Sequence, residues 1–378
     1  MAQAEDQLRY DFGKNWADFI KHNFSEDVVG QSQRRLAEFL RLGSLEDTTF
    51  LDIGCGSGLH SLAAHRLGAR RIFSFDYDRD SVATTERLRQ YAGDPASWTV
   101  QQGSVLDPGF MQTLGEFDIV YSWGVLHHTG DMWRAVRNAA LPLKPDGLFL
   151  MALYSADHHV DPPAEYWLRI KRQYNHRRKI GRTFMEWQYL WTFHIMPALR
   201  ARQNPASFMK GKRYRGMEFW TDVRDWLGGY PMEFAGLSET RDFCKRELGL
   251  DLVNLGIGEA NTEFLFCRLG QNEQWTAIDA RRQHTPLSPP FTGPNGFGFA
   301  THLPALANVS DCSEAPRRSL LMLYENGEPL GLSHSLHDHI AKYGKGRFSH
   351  WGDYLLFSAS DNSDPNGNNK RYTYCESY

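Results

Sequence analysis

The stretch Thr49-Phe50-Leu51-Asp52-Ile53-Gly54-Cys55-Gly56-Ser57-Gly58 constrains the fold more than any other. A short apolar run carries an acid near its end and leads into alternating glycines. Leu59, Leu62, Ala63 and Leu67 then follow at helical spacing. The pattern predicts strand, tight turn and helix, the opening of a nucleotide-binding βαβ unit. Glycines suit that turn because the backbone must bend sharply and admit a ligand closely. A dinucleotide fold wants G-x-G-x-x-G, with a pyrophosphate on the helix N-terminus. Counted from Gly54 the last glycine position holds Leu59, and counted from Gly56 it holds Ser61. The pattern here is D-x-G-x-G-x-G. A carboxylate at Asp52 repels a pyrophosphate and suits a ligand that carries an ammonium group and no phosphate.

Strand and helix continue to alternate, which predicts a parallel α/β sheet covered on both faces. Strands are expected at Thr49–Ile53, Arg71–Asp76, Trp98–Gln102, Phe117–Ser122 and Leu148–Leu153. A helix is expected from Asp131 to Leu141, and a turn over 143–147. Asp76 ends the second strand, where an acid accepts hydrogen bonds from both ribose hydroxyls of a nucleoside. The competing role, capping the next helix, falls better to Asp78. Ligands of open α/β sheets sit beyond the carboxyl ends of the strands. The residues after strand four, Trp123-Gly124-Val125-Leu126-His127-His128, therefore face the reacting group. Adjacent histidines cannot point the same way. His127 is preferred as the substrate-facing base and His128 comes second, since histidine accepts protons near neutral pH. A purely structural role stays open for each. Tyr154, ending strand five, reaches the same face.

On Leu51–Gly58, Asp76 and the strand-four stretch, the chain resembles class I S-adenosylmethionine (SAM)-dependent methyltransferases. The resemblance implies a Rossmann-like seven-stranded core whose final strand is antiparallel. It implies SAM as cofactor, S-adenosylhomocysteine as product and no metal. Cofactor contacts are expected from Asp52, Gly54, Cys55, Gly56, Gly58, Asp76, Tyr77, Ser104, Val105 and Trp123. Phe12-Gly13-Lys14-Asn15-Trp16, Trp123 through Asp131, and Asp225-Trp226-Leu227-Gly228-Gly229-Tyr230-Pro231 together look like one bacterial branch of these enzymes. The class closes its site with N-terminal helices and with an insertion between strands five and six. On that basis residues 1–45 are an N-terminal helical lid, 46–269 the methyltransferase domain and 155–236 its substrate-lid insertion. Lys14, Trp16, Arg169, Arg215, Trp220 and Tyr230 are the expected substrate contacts.

Bulk properties narrow the function. A net charge of -3 leaves no electrostatic footprint of nucleic-acid binding. The insertion nevertheless interleaves bases with aromatics. Such a stretch grips RNA or DNA, or stacks on a sugar or aromatic acceptor while arginine holds a carboxylate or phosphate. Five cysteines without paired spacing suit the reduced thiols of a cytoplasmic protein. No apolar run reaches the roughly 20 residues of a membrane span, and the polar N-terminus is no secretory signal. The reading is methyl transfer to a hydroxyl, thiol or amine of a small metabolite or saccharide. RNA methylation and a non-catalytic glycan-binding scaffold are the alternatives, and a homo-oligomer is compatible with either.

Residues 270–378 change character, with abundant Pro, Gly, Ser and Asn and little helical periodicity. They predict a small β-sandwich or barrel, with strands at Ser319–Tyr324 and Gly352–Ser360. A hairpin turn is expected at 325–328 and a short helix at Ser335–Tyr343. Tyr324–Gly331 and Arg347–Asp353 resemble an accessory module of some bacterial carbohydrate-related enzymes. Glycan binding and simple packing both fit it. His334, His337, His339 and His350 lack a fixed four-ligand spacing, which argues against zinc.

Overall fold

The computed structural model describes residue 13, residues 24–202, residue 204, and residues 219–258 and 261–376. Lys14, Trp16 and Arg215 lie outside the described residues. The chain divides into two compact units. One holds the described residues up to Phe234 together with Cys244–Asn272. The other holds Ala235–Phe243 and the described residues from Glu273 onward.

The first unit is built on β1 (Thr49–Ile53), β2 (Arg71–Asp76), β3 (Trp98–Gln102), β4 (Phe117–Trp123), β5 (Leu143–Tyr154), β6 (Asp251–Ile257) and β7 (Asn261–Cys267). They form one sheet of order β3-β2-β1-β4-β5-β7-β6. The strands from β3 through β5 pair in parallel, and β7 runs antiparallel to both of its neighbours. β1 and β7 are buried at every position. That requires cover on both faces.

Helices α1 (Glu26–Leu40), α2 (Leu59–Arg66), α3 (Arg79–Tyr91), α4 (Pro108–Thr113) and α5 (Met132–Ala139) supply part of the cover. Ser25, Asp78, Asp107 and Asp131 cap α1, α3, α4 and α5 by accepting backbone N–H bonds, which satisfies donors a helix start leaves free. α1 ends at Leu40, because Arg41 takes the left-handed conformation that ends helices, with φ 54°. One boundary differs from expectation. The turn expected over 143–147 lies inside β5, at a register irregularity opposite Phe117 and Ile119. A proline and a glycine are tolerated in a strand at such irregularities.

The insertion is helical: α6 (Ala164–His176), α7 (Lys179–Leu190), a π-helical turn at Trp191–Ile195, α8 (Met196–Arg200) and α9 (Phe219–Gly228). Tyr174, Leu190, Val223 and Leu227 form its core. α10 (Leu237–Leu248) precedes β6.

The second unit contains α11 (Glu273–Arg281), β8 (Thr285–Leu287), β9 (Thr292–Asn295), β10 (Gly298–His302), β11 (Leu321–Glu325), β12 (Glu328–Pro329), α12 (His337–Tyr343), β13 (Phe348–Trp351), β14 (Tyr354–Phe357) and β15 (Tyr372–Glu376). The strands form two four-stranded antiparallel sheets, β13-β14-β10-β9 and β12-β11-β15-β8. Phe299 and Phe357 of one sheet share a core with Leu323 and Tyr372 of the other, so the unit is a sandwich. Asn326 and Gly327, at φ 53° and 87°, make the two-residue hairpin between β11 and β12. α11 had no counterpart in the sequence reading. Asp311 holds His334 and Ser319 holds His350, each at 2.7 Å. No group of side chains able to hold a metal occurs among the described residues. No helix among them is long and apolar enough to cross a membrane.

Candidate functional site

The glycine turn is tied to the end of β2. The N–H groups of Gly54 and Cys55 both donate to the Phe75 carbonyl, at 2.8 and 3.0 Å, and Gly58 N–H donates to the Cys55 carbonyl at 2.8 Å. Gly54 and Gly58 sit at φ 73° and 78°, the left-handed region where side chains are strained. A Cβ on Gly54 would lie 2.4 Å from Val125 Cγ1, and one on Gly58 would lie 2.9 Å from Thr85 Cα. Asp76 braces the same turn. Its Oδ2 accepts from Gly56 N–H at 3.0 Å and its Oδ1 from Asp78 N–H at 2.9 Å. Gly13 N–H donates to Asp78 at 3.1 Å, which brings one residue of the N-terminal segment to this loop.

Asp52 is almost completely buried and accepts from the Ser61 hydroxyl at 2.5 Å. Ser61 and Ser74 share a bond of 2.7 Å, and Trp98 Nε1 donates to Ser74 at 2.8 Å. Burial pushes the Asp52 carboxyl up to about 7; the Ser61 hydroxyl opposes this and the Asp76 charge adds to it. Cys55 is buried too, and takes the Thr85 hydroxyl at 3.2 Å. Burial, with Asp76 and Asp52 beside it, holds the Cys55 thiol far above its ordinary pKa, so it is not an ionised nucleophile.

The other expected cofactor residues border the next loops. Tyr77 is half exposed, and its carbonyl accepts from the Gln102 amide at 3.0 Å. Ser104 Oγ accepts from Leu106 N–H at 3.2 Å. Val105 is buried, and its carbonyl accepts from Asn138 at 2.8 Å. Trp123 Nε1 donates to Glu263 at 2.7 Å, and Arg35 reaches the same Glu263 oxygen at 2.5 Å. That link joins α1, β4 and β7, and sequence reasoning missed it.

A 3₁₀ turn at Leu126–His128 aims the two histidines differently. His128 Nδ1 lies 2.8 Å from the Pro231 carbonyl. A carbonyl only accepts, so Nδ1 carries the proton and the ring is fixed. His127 is fully buried, and neither ring nitrogen has a hydrogen-bond partner among the described residues. Its ring lies 4.3 Å from that of His128 and 4.2 Å from that of Tyr154. Burial, then the His128 and Lys171 charges, hold its pKa well below the ordinary imidazole value, so the ring is neutral.

Further rings surround Tyr154. Trp226 meets it edge-on at 5.6 Å and Phe234 stacks at 6.2 Å. His159 stacks on Trp226 at 5.4 Å while its Nδ1 bonds the Ser155 carbonyl at 2.9 Å. Lys171 of α6 is fully buried. Its Nζ donates to the Trp226 carbonyl and lies 4.2 Å over the Trp226 ring. Burial lowers the Lys171 pKa to about 7, against the opposing pull of Asp225. Sequence reasoning saw Lys171 only as part of a basic run. The available signal was helical phase, because Trp167, Lys171 and Tyr174 occupy one buried stripe.

The remaining expected substrate residues lie in the insertion. Arg169 is exposed and stands 5.6 Å over the Tyr166 ring. Trp220 meets Trp187 edge-on at 5.6 Å. Tyr230 is buried and its hydroxyl accepts from Arg172 at 3.2 Å.

Residues 24–191 match a family described as a methyltransferase domain. The strand order and the single antiparallel strand agree with it. The first unit is a class I SAM-dependent methyltransferase domain. Among curated relatives, a tRNA U34 carboxymethyltransferase of Mannheimia succiniciproducens is 29% identical over 138 residues, 35% of this chain and 41% of its own length. A ubiquinone biosynthesis O-methyltransferase of a Methylobacterium species is 34% identical over 109 residues, 29% of this chain and 41% of its own. The chain thus matches these methyltransferases over 41% of their length. Of solved structures, magnesium protoporphyrin IX methyltransferase from Synechocystis with bound SAH aligns at 11% identity and TM-score 0.42, over 71% of this chain and 99% of that one.

Proposed function

We propose that the methyltransferase domain transfers a methyl group from SAM to a hydroxyl of a small acceptor. The observation that carries the reading is the glycine turn braced by Asp76. It leaves room for backbone alone at Gly54 and Gly58, and it sets the Asp52 and Asp76 carboxylates near each other, as a cationic nucleoside ligand wants. Gly54, Cys55, Gly56 and Gly58 would hold the methionine end with Asp52. Asp76 would hold the ribose, and Tyr77, Ser104, Val105 and Trp123 would border the base and the reacting end. SAM supplies an electrophilic methyl on a sulfonium, whose C–S electron pair leaves with sulfur as a neutral thioether.

The chain's own residues do the rest. The rings of Tyr154 and Trp226 hold the acceptor and exclude water. His127, neutral and unpartnered, takes the acceptor proton as the new O–C bond forms. His128, fixed on Pro231, shapes that site. Alignment of the two partners is the main contribution expected of such an enzyme. Residues 155–236 serve as the substrate lid, with Arg169, Trp220 and Tyr230 on it, and the C-terminal sandwich serves as an accessory acceptor-binding module. The test is release of S-adenosylhomocysteine when the full chain is given SAM and a panel of phenols, sugars, thiols and amines. Release that depends on one acceptor class supports the reading; no SAM affinity overturns it.

One observation keeps a second reading in view. Arg169, Arg172, Arg177, Arg178 and Lys179 are exposed beside exposed Phe184 and Trp187, which would suit an RNA acceptor. Binding to RNA that falls steeply with salt would favour it.

A further inference from the structure

Around Tyr154 several buried polar atoms lack a hydrogen-bond partner among the described residues. Among them are Nδ1 and Nε2 of His127, Nε1 of Trp226 and Oδ1 of Asn261. The three residues share one neighbourhood. His127 and Trp226 touch the Tyr154 ring, and Asn261 on β7 is the direct register partner of Tyr154 on β5. Directly paired residues on antiparallel strands point to the same face. Folded proteins rarely leave buried polar atoms unpaired, because each loses its water without replacement. A concentration of them among aromatic rings marks a place that something polar is meant to fill.

The chemistry of the unmet groups defines the occupant. The Trp226 indole N–H only donates, the Asn261 oxygen only accepts, and neutral His127 offers one of each. A hydroxyl that accepts from Trp226 and donates to Asn261 meets two of them at once. A second hydroxyl, donating to His127, meets the proton acceptor. The rings of Tyr154, Trp226 and Phe234 pack on one another beside these groups and give the place an aromatic lining. Lys171, buried behind the Trp226 ring, disfavours a cationic occupant. We propose that the acceptor is a dihydroxylated aromatic ring, one hydroxyl at His127 for methylation and the other between Trp226 and Asn261 for orientation. The proposal rests on the methyl-transfer reading above and names its substrate class.

The experiment uses the full chain with SAM and four probes: catechol, phenol, methyl α-glucoside and uridine. S-adenosylhomocysteine release gives kcat and KM for each. Catechol should exceed phenol in kcat/KM by about tenfold, the effect of one oriented hydrogen-bonded hydroxyl. The glucoside and uridine should fall well below phenol. Trp226→Phe keeps a ring and removes the N–H. It should raise KM for catechol about tenfold and KM for phenol far less, a split that a merely structural role would not produce. Asn261→Ser should behave in the same way, which guards against misfolding of either variant. Preferred turnover of the glucoside or uridine overturns the proposal, as does an equal effect of both variants on phenol and catechol. If no probe is methylated, calorimetric titration of catechol into the SAH complex decides. Saturable binding weakened in Trp226→Phe supports the proposal, and no binding overturns it. Loss of the underlying reading has a different signature, the absence of SAM and SAH affinity.

Discussion

Lys171→Met is the perturbation whose outcome the structure fixes most tightly. The ammonium is fully buried on the Trp226 carbonyl and ring, and its pKa falls from 10.5 to about 7. At about 1.4 kcal/mol per pKa unit, the protonated form is penalised by about 5 kcal/mol relative to the unfolded chain below pH 7. Between 7 and 10.5 the folded state has lost the proton while the unfolded state keeps it. The unfolded chain then binds more protons, so wild-type stability rises with pH across that window. At pH 9 the remaining penalty is about 2 kcal/mol by the same conversion. Methionine fills similar volume with no charge, and neutral replacement of buried charges often stabilises by about 1–4 kcal/mol. The variant should therefore be more stable at pH 6, and its advantage should shrink by about 3 kcal/mol on going to pH 9. Urea unfolding at the two pH values, followed by tryptophan fluorescence, measures both quantities. A variant less stable than wild type at pH 6, or an advantage that does not change with pH, would refute the reasoning.

Other outcomes follow from the same geometry. Asp52 is raised from 3.8 to about 7 by burial, so its contribution is present below pH 4 and is lost as pH rises to 7, about 4 kcal/mol by the per-unit conversion. Asp52→Asn should flatten that part of the stability profile, and an unaltered slope in urea unfolding between pH 4.5 and 7.5 contradicts it. Gly54→Ala puts a Cβ 2.4 Å from Val125 Cγ1 at positive φ. It should destabilise by about 2–4 kcal/mol and weaken SAM binding, read from melting and titration together. His127→Ala should keep SAM affinity and lose about 10²–10⁴ in kcat, the usual worth of a general base. Full activity of that variant across pH 6–9 removes His127 from the mechanism.

What could be read from the sequence was local. The glycine turn, the acids at 52 and 76, and the Asp78 cap each depend on residues within a few positions of one another. The Asn326-Gly327 hairpin was legible for the same reason. Harder to see were groups whose meaning lies in distant partners. Glu263 serves Trp123 from 140 residues away and Arg35 from 228, and no spacing announces either. Lys171 was hidden because a lysine in a basic run looks solvated; its depth follows from a helix face packed on Trp226. The anchoring of His128 was hidden for the same reason, because the Pro231 carbonyl arrives from the far side of the insertion. The early start of β5 was masked by Pro145 and Gly147, which signal a turn unless the neighbouring strand is known.

The central claim is that the turn at Gly54–Gly58, braced by Asp76, receives a sulfonium nucleoside. Calorimetric titration of SAM into the full chain and into Asp76→Asn tests it directly. Asparagine keeps one acceptor oxygen and loses the charge and the second bond. Wild type should bind one SAM per chain, and the variant should bind about tenfold or more weakly, as expected for a lost charge-assisted hydrogen bond. Absence of SAM binding in the folded wild-type chain, or equal affinity in the two proteins, would contradict the account.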